Sequence, residues 1–122
     1  MNDGIKGEES TDSLPSRFVD DEFYRALSSR RRRRILAFLL DERECSRDEL
    51  ATVLAEWEST DTGSMSTRDD YDRIQLDLHH VQLPMLDESD LVAYDPERGT
   101  VTIEPLETET RALIRRCIEA EP

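Results

Sequence analysis

The chain has 122 residues, enough to close one small core but not two, and carries a formal net charge of -13 from 29 acidic and 16 basic residues. Its longest apolar run, Ile35 to Leu40, is too short to span a bilayer or to form the core of a signal peptide, so a soluble cytoplasmic protein is expected. Cys45 and Cys117 lie far apart with no CxxC pair, which excludes a disulfide framework and makes a reducing compartment the default.

Met1 to about Arg17 mixes Gly, Glu, Ser, Thr and Asp with few apolar anchors and reads as a disordered polar tail, 1–17, ahead of a folded domain over 18–104. In DDEFYRAL, Phe23 and Leu27 share one helix face, and Ser28 and Ser29 favour a helix start over a helix interior. A short first helix is therefore predicted to end there, and RRRRRILAFLLDE to form a second with Ile35, Leu36, Phe38, Leu39 and Leu40 on a broad buried face. Arg30 to Arg34 fill its opening turn and a half, where positive charge opposes the macrodipole. Five successive positions reach every side of a helix, so some arginines must lay their stems along the core while others serve phosphate or ion pairs. Arg31 and Arg32 are the candidates for clamping a nucleic-acid backbone; pairing with nearby carboxylates is the competing reading.

Ser46-Arg47-Asp48-Glu49 has the form of a capping box, followed by Leu50, Val53, Leu54 and Trp57 at helical spacing. Ser59 to Thr67 reads as a flexible loop. Thr67 and Asp70 repeat the capping spacing and open a longer helix that must end or kink near Pro84. A strand from Leu91 to Tyr94, a turn at Asp95-Pro96-Glu97-Arg98-Gly99 and a second strand from Thr100 to Ile103 read as a hairpin. A final helix is predicted from about Leu106 to Ala120, within 105–122, with Leu106, Leu113, Ile114, Cys117 and Ile118 along one side as a candidate dimerisation surface.

The helix opened by Thr67 decides what the domain recognises. At about 100° per residue, Leu76, His79, Leu83 and Leu86 form one apolar stripe, and Tyr71, Ile74, Leu78, Val81 and Met85 form another nearly opposite. One intervening strip, with Asp69, Asp70, Arg73, Asp77, His80, Asp87 and Glu88, would on balance repel phosphate. The other carries Arg68, Gln75 and Gln82, the residue types that pair bidentately with guanine or adenine, and Arg98 at the hairpin tip is placed to touch a phosphate. Two apolar stripes would also suit a helix held between its own core and either a partner chain or the final helix. His79 and His80 diverge on a helix and cannot grip one metal, and neither a Gly-rich phosphate loop nor a nucleophile-base-orienter set is evident. No metal, cofactor or catalytic step is expected.

The order of helices, hairpin and closing helix is that of a mainly α winged helix-turn-helix with an additional C-terminal helix. LSSRRRRRILAFLL resembles the opening helix of ArsR-like regulators, and LPMLDESDLVAYD resembles the end of their recognition helix and its entry to the wing. More closely, SSRRRRRIL with LHHVQLPMLDESDLVAYD is similar to a haloarchaeal winged-helix family without an assigned biochemical role. Lys6 is the only lysine, and lysine scarcity beside excess carboxylate resembles the proteins of extremely halophilic archaea. The resemblance implies a homodimeric transcriptional regulator that binds duplex DNA sequence-specifically; the alternative is a winged-helix protein-interaction module. Asp90 stands where the broader family usually has glycine before the wing.

Overall fold

The computed structural model describes residues 21–120, and the predicted tail, 1–17, lies outside the described residues. Helix α1 (Asp21–Leu27) leads through Ser28 and Ser29 into α2 (Arg30–Glu42). The Ser29 side chain accepts from the Arg32 amide at 3.3 Å, which fixes the boundary at the expected serine pair. Strand β1 (Glu44–Ser46), α3 (Arg47–Thr62) and α4 (Arg68–Asp77) follow. After a wide π turn over Leu78–Gln82 come α5 (Leu83–Glu88), β2 (Val92–Asp95), β3 (Thr100–Ile103) and α6 (Thr108–Glu119). The chain is thus mainly helical with a small antiparallel sheet.

Both predicted capping boxes form: Ser46 with Glu49 opens α3, and Thr67 with Asp70 opens α4. Helix α3 nevertheless continues through Thr62, so Ser59 to Thr62 belong to a helix and not to the predicted loop. Hydroxyl groups that usually favour loops instead bond backward along the helix, Thr60 Oγ1 to Glu56 O at 2.9 Å and Thr62 Oγ1 to Ser59 O at 3.3 Å. Gly63, at φ +74°, ends the helix in a left-handed conformation that costs glycine least.

The sheet has a third strand that the sequence reading lacks. Its order is β1-β3-β2, with Cys45 and Tyr94 both opposite Val101 on the central strand. With only three residues and one buried side chain, β1 presents too little alternation to recognise from sequence. It exists because α2 ends tightly at Arg43, at φ +74°, whose amide donates to Leu39 O and whose carbonyl accepts from Ile103 N at 2.9 Å. Asp90 adopts φ +61°, the left-handed conformation for which glycine is better suited, and delivers the chain from α5 into β2.

The core comprises Phe23 from α1, Ile35, Leu36 and Leu39 from α2, Leu50 and Leu54 from α3, Leu91 just before β2, Val101 from β3, and Ile114 from α6. Each fully buried aliphatic side chain contributes about 1.5–3 kcal/mol. Into this core the α4–α5 segment sends Ile74, Leu78, Leu83 and Leu86, while Leu76 and Val81 are 60% and 48% exposed. The two predicted stripes therefore become one. The π turn carries an extra residue, so Leu83, five positions after Leu78, returns to the same face; uniform α geometry would have sent it elsewhere. Pro84 explains the position of the wide turn: it has no amide to donate, and in a regular helix its ring would press on the carbonyl of His80.

Helix α6 packs on α2 and begins at Thr108, later than predicted, with Leu106 in the preceding connection. Thr110 is fully buried there, and its hydroxyl is the buried side-chain polar atom without a hydrogen-bond partner among the described residues. Thr110→Val keeps the shape and removes the unsatisfied group, so it is expected to raise stability by about 1 kcal/mol. Urea unfolding monitored by circular dichroism measures this; an unchanged or lowered midpoint contradicts it.

Candidate nucleic-acid interface

The arginine block is committed inward. Arg31 donates through Nε and Nη2 to both carboxylate oxygens of Glu58, each at 2.6 Å, and through Nη1 to Asp77 Oδ2 at 2.8 Å. These contacts raise its pKa, the Glu58 hydrogen bond contributing most. Arg32, only 8% exposed, donates to the carbonyls of Ala26 at 2.9 Å and Arg25 at 2.7 Å, and to Gln82 Oε1 at 2.9 Å. Arg33 Nη1 reaches Leu27 O at 2.8 Å. Arg32 and Arg33 together satisfy the last carbonyls of α1, where cationic donors also complement the helix dipole. Arg30 and Arg34 pair with Asp61 near the end of α3, and the Arg34 guanidinium lies 5.7 Å from the centre of the Trp57 ring.

These contacts bury or engage several of the candidate residues. Gln82 is 8% exposed; its oxygen accepts from Arg32 and its amide nitrogen donates to Asp77 Oδ2 at 2.9 Å, so it faces the protein and not a base. Arg32 is withdrawn from any backbone clamp by burial, which also lowers its pKa. Arg31 has its guanidinium nitrogens engaged by two carboxylates. Ile114 lies fully inside the core and is unavailable to a dimer, whereas Leu106, Leu113, Cys117 and Ile118 are half-buried against it. Arg68 and Arg98 remain at the surface, 86% and 81% exposed, each beside one exposed carboxylate: Asp72 at 3.4 Å and Asp95 at 3.9 Å.

Gln75 belongs to a network centred on a residue the sequence reading used only for helix initiation. Arg47, the first residue of α3, donates through Nε to Gln75 Oε1 at 2.9 Å and through Nη1 to the Tyr94 hydroxyl at 2.6 Å. The same Nη1 lies 3.1 Å from His79 Nδ1, which is 2.7 Å from the Tyr94 hydroxyl. A guanidinium can only donate, so the Tyr94 hydroxyl accepts from Arg47, and the single lone pair of an unprotonated Nδ1 is shared between the Arg47 Nη1 and the Tyr94 hydroxyl. Gln75 Nε2 donates in turn to the Tyr71 hydroxyl at 2.8 Å and to Asp48. The start of α3, the α4–π segment and β2 are thereby tied together. The Arg47 amide also donates to Gly99 O at 2.8 Å, bringing the hairpin tip against α3. A cleft of about 150 Å³ between them is lined by Arg47, Asp48, Glu97 and Arg98. Proximity of Arg47 to His79 and Tyr94 depends on strand pairing and the π turn; the one sequence signal was an arginine at the first position of a capped helix.

Among the described residues no group of three or more His, Cys, Asp or Glu side chains is arranged to hold a metal ion. No helix among them is long and apolar enough to cross a membrane. Burial, followed by the neighbouring Glu49, Glu42 and Glu44, pushes the Cys45 thiol up to about 12. The Thr67 amide holds the Asp70 carboxyl below its ordinary value.

The model of a family described as a domain of unknown function (DUF7344) matches residues 24–102, from α1 to the last strand, and the chain belongs to that family. Helix α6 lies outside the matched span. No curated protein and no solved structure matches the chain.

Two expectations follow from these contacts. Gln82→Ala leaves a buried Arg32 donor without its acceptor, while Asp77 keeps Arg31, and should cost about 1–3 kcal/mol, measured by chemical unfolding; a neutral effect would remove Gln82 from the structural network. At pH 8 the native Cys45 thiol should resist iodoacetamide until the chain is unfolded, since thiolate is the reactive form; rapid alkylation of Cys45 in the folded protein, followed by mass spectrometry, would contradict its burial.

Proposed function

We propose that this member of the family is a winged-helix transcriptional regulator that binds duplex DNA, and that it does so as a homodimer. The observation that carries this reading is the convergence of the α3 N-terminus, the α4–π segment and the hairpin tip around Arg47. In such an arrangement α4 presents side chains to the major groove while the hairpin reaches the neighbouring backbone. Arg98 and Arg68 supply mobile positive charge, their surface ion pairs being weak enough to exchange for phosphate. Arg47, held by Gln75, His79 and Tyr94, supplies a cation of fixed orientation; Gln75 reads bases by exchanging its internal partners. Sequence-specific recognition thus falls mainly to Gln75, with Arg47 as its support. The exposed remainder of Leu106, Leu113, Cys117 and Ile118 is the proposed dimer contact, and no catalytic step is assigned.

Acidic residues in the same region shape the conditions. Asp48 and Glu97 share the cleft of Arg47 and Arg98, and their repulsion of phosphate is short-ranged only in concentrated salt, where the Debye length falls to about 3 Å at 1 M. The acid-rich, lysine-poor composition supports a high-salt setting. The exposed Leu76 and Val81 on the α4–π segment favour the second reading, a module whose outer helix face docks protein.

Fluorescence anisotropy against genomic duplex fragments in molar KCl is expected to saturate. Arg47→Ala and Arg98→Ala should each weaken binding by about 1–2 kcal/mol, the order of a charge-assisted hydrogen bond. Absence of saturable binding across those fragments would overturn the DNA reading. Binding that depends on Leu76 and Val81 but not on the arginines would favour the second one.

A further inference from the structure

Beside the Arg47 network, the π turn and the hairpin enclose an open groove of about 340 Å³ lined by His79, Pro84, Asp87, Glu88, Tyr94 and Pro96. Its construction is specific. The π turn sets Pro84 beside the groove, and the hairpin supplies Tyr94 and Pro96. The rings of His79 and Tyr94 meet edge to face, with centroids 6.1 Å apart, and the Tyr94 hydroxyl is fixed by Arg47 and His79. Asp87 is fixed too, because its Oδ2 accepts from the Tyr94 amide at 2.9 Å. Glu88 stands exposed at the next position. Flat, apolar walls held in place thus carry two carboxylates at their rim.

We infer that this groove receives an arginine side chain from an extended segment of a partner protein. Charge decides the occupant. Asp87 and Glu88 line the groove with no arginine or lysine among the lining side chains, so it suits a cation better than a nucleic-acid backbone. Aromatic and pyrrolidine surfaces suit the flat, weakly hydrated guanidinium, and a carboxylate accepts its paired N–H groups side by side. A lysine ammonium is more strongly hydrated and lacks the planar fork, so it gains less from the same walls. Contact stacking and paired hydrogen bonds survive screening better than attraction between separated charges, which suits the concentrated salt proposed above. The inference concerns a protein partner and stands whether or not the chain binds DNA.

The test uses the full chain and a blocked acetyl-Gly-Arg-Gly-amide peptide, with lysine, citrulline and norleucine peptides as counterparts, in the salt at which the protein is folded. Aromatic NMR resonances of His79 and Tyr94 are followed, with Trp57 as a remote control. The arginine peptide should shift His79 and Tyr94 saturably, while the lysine and uncharged citrulline peptides bind at least about fivefold more weakly because charge and planar fork are both required. Glu88→Gln, at an exposed position, should weaken arginine binding by a similar factor, with unchanged amide spectra elsewhere confirming the fold. Equal responses to citrulline, shifts extending to Trp57, indifference to Glu88→Gln, or no saturable shift would each overturn the inference. DNA titration of the same variant separates the two readings: Glu88→Gln should not weaken DNA binding, and absence of DNA binding leaves the peptide result intact.

Discussion

The fork of Arg31 onto Glu58 and Asp77 is the polar contact that ties three helices together beside the apolar core. It joins α2 to the last turns of α3 and to the end of α4 through one side chain. Asp77 Oδ2 then accepts from Gln82 across the π turn, and Gln82 returns to Arg32, whose remaining donors close the end of α1. One short run of sequence therefore positions four helical elements. A lysine in place of Arg31 could not engage two carboxylates through three separate nitrogens, which gives arginine a physical reason at this position whatever the overall preference for it.

The same network bears on the shape of the α4–α5 segment. A straight α-helix over these residues would bury Tyr71, Ile74, Leu78, Val81 and Met85, a regular apolar series; the fold instead turns Val81 outward and brings in Gln82, Leu83 and Leu86. Pro84 disfavors the straight form, and the Asp77–Gln82–Arg32 chain satisfies the polar side chain that the wide turn carries inside. Burial of an amide at that position is tolerable only because both its ends are engaged. Packing of Leu83 and Leu86 then fixes the direction in which α5 delivers the chain to the hairpin.

Features set by neighbours in the chain were legible in the sequence. Ser29, the Ser46/Glu49 and Thr67/Asp70 boxes, Pro84 and the turn ending at Gly99 each act within a few residues, and each marks an observed boundary or bend. Features requiring distant partners were not: β1 exists through its pairing with β3, and α3 is prolonged where Arg31 and Arg34 meet Glu58 and Asp61. The candidate site suffered most from the helical projection. One extra residue in the turn rotated everything after Leu78, so Gln82 moved from the supposed reading strip to the interior, while Arg68 and Arg98, lying outside the affected segment, stayed at the surface. Arg47 escaped notice because a first-turn residue reveals nothing of the strand and helix that will close around it.

Salt separates the two sets of charges. At the surface, Arg68 with Asp72 and Arg98 with Asp95 are widely exposed, and concentrated counterions weaken such pairs. Arg32 is shielded from solvent and makes its contacts by direct hydrogen bonds, which ions cannot enter without displacing the protein groups. The half-buried Arg31 fork lies between these limits, its short paired bonds resisting screening more than an isolated surface pair does. A net charge of -13 makes the folded chain repel itself in dilute solution, and added salt relieves that repulsion over the whole surface while leaving the inner arginine contacts largely in place. The internal clamp can consequently hold its geometry under the very conditions that loosen the surface arginines and free them for exchange with another anion.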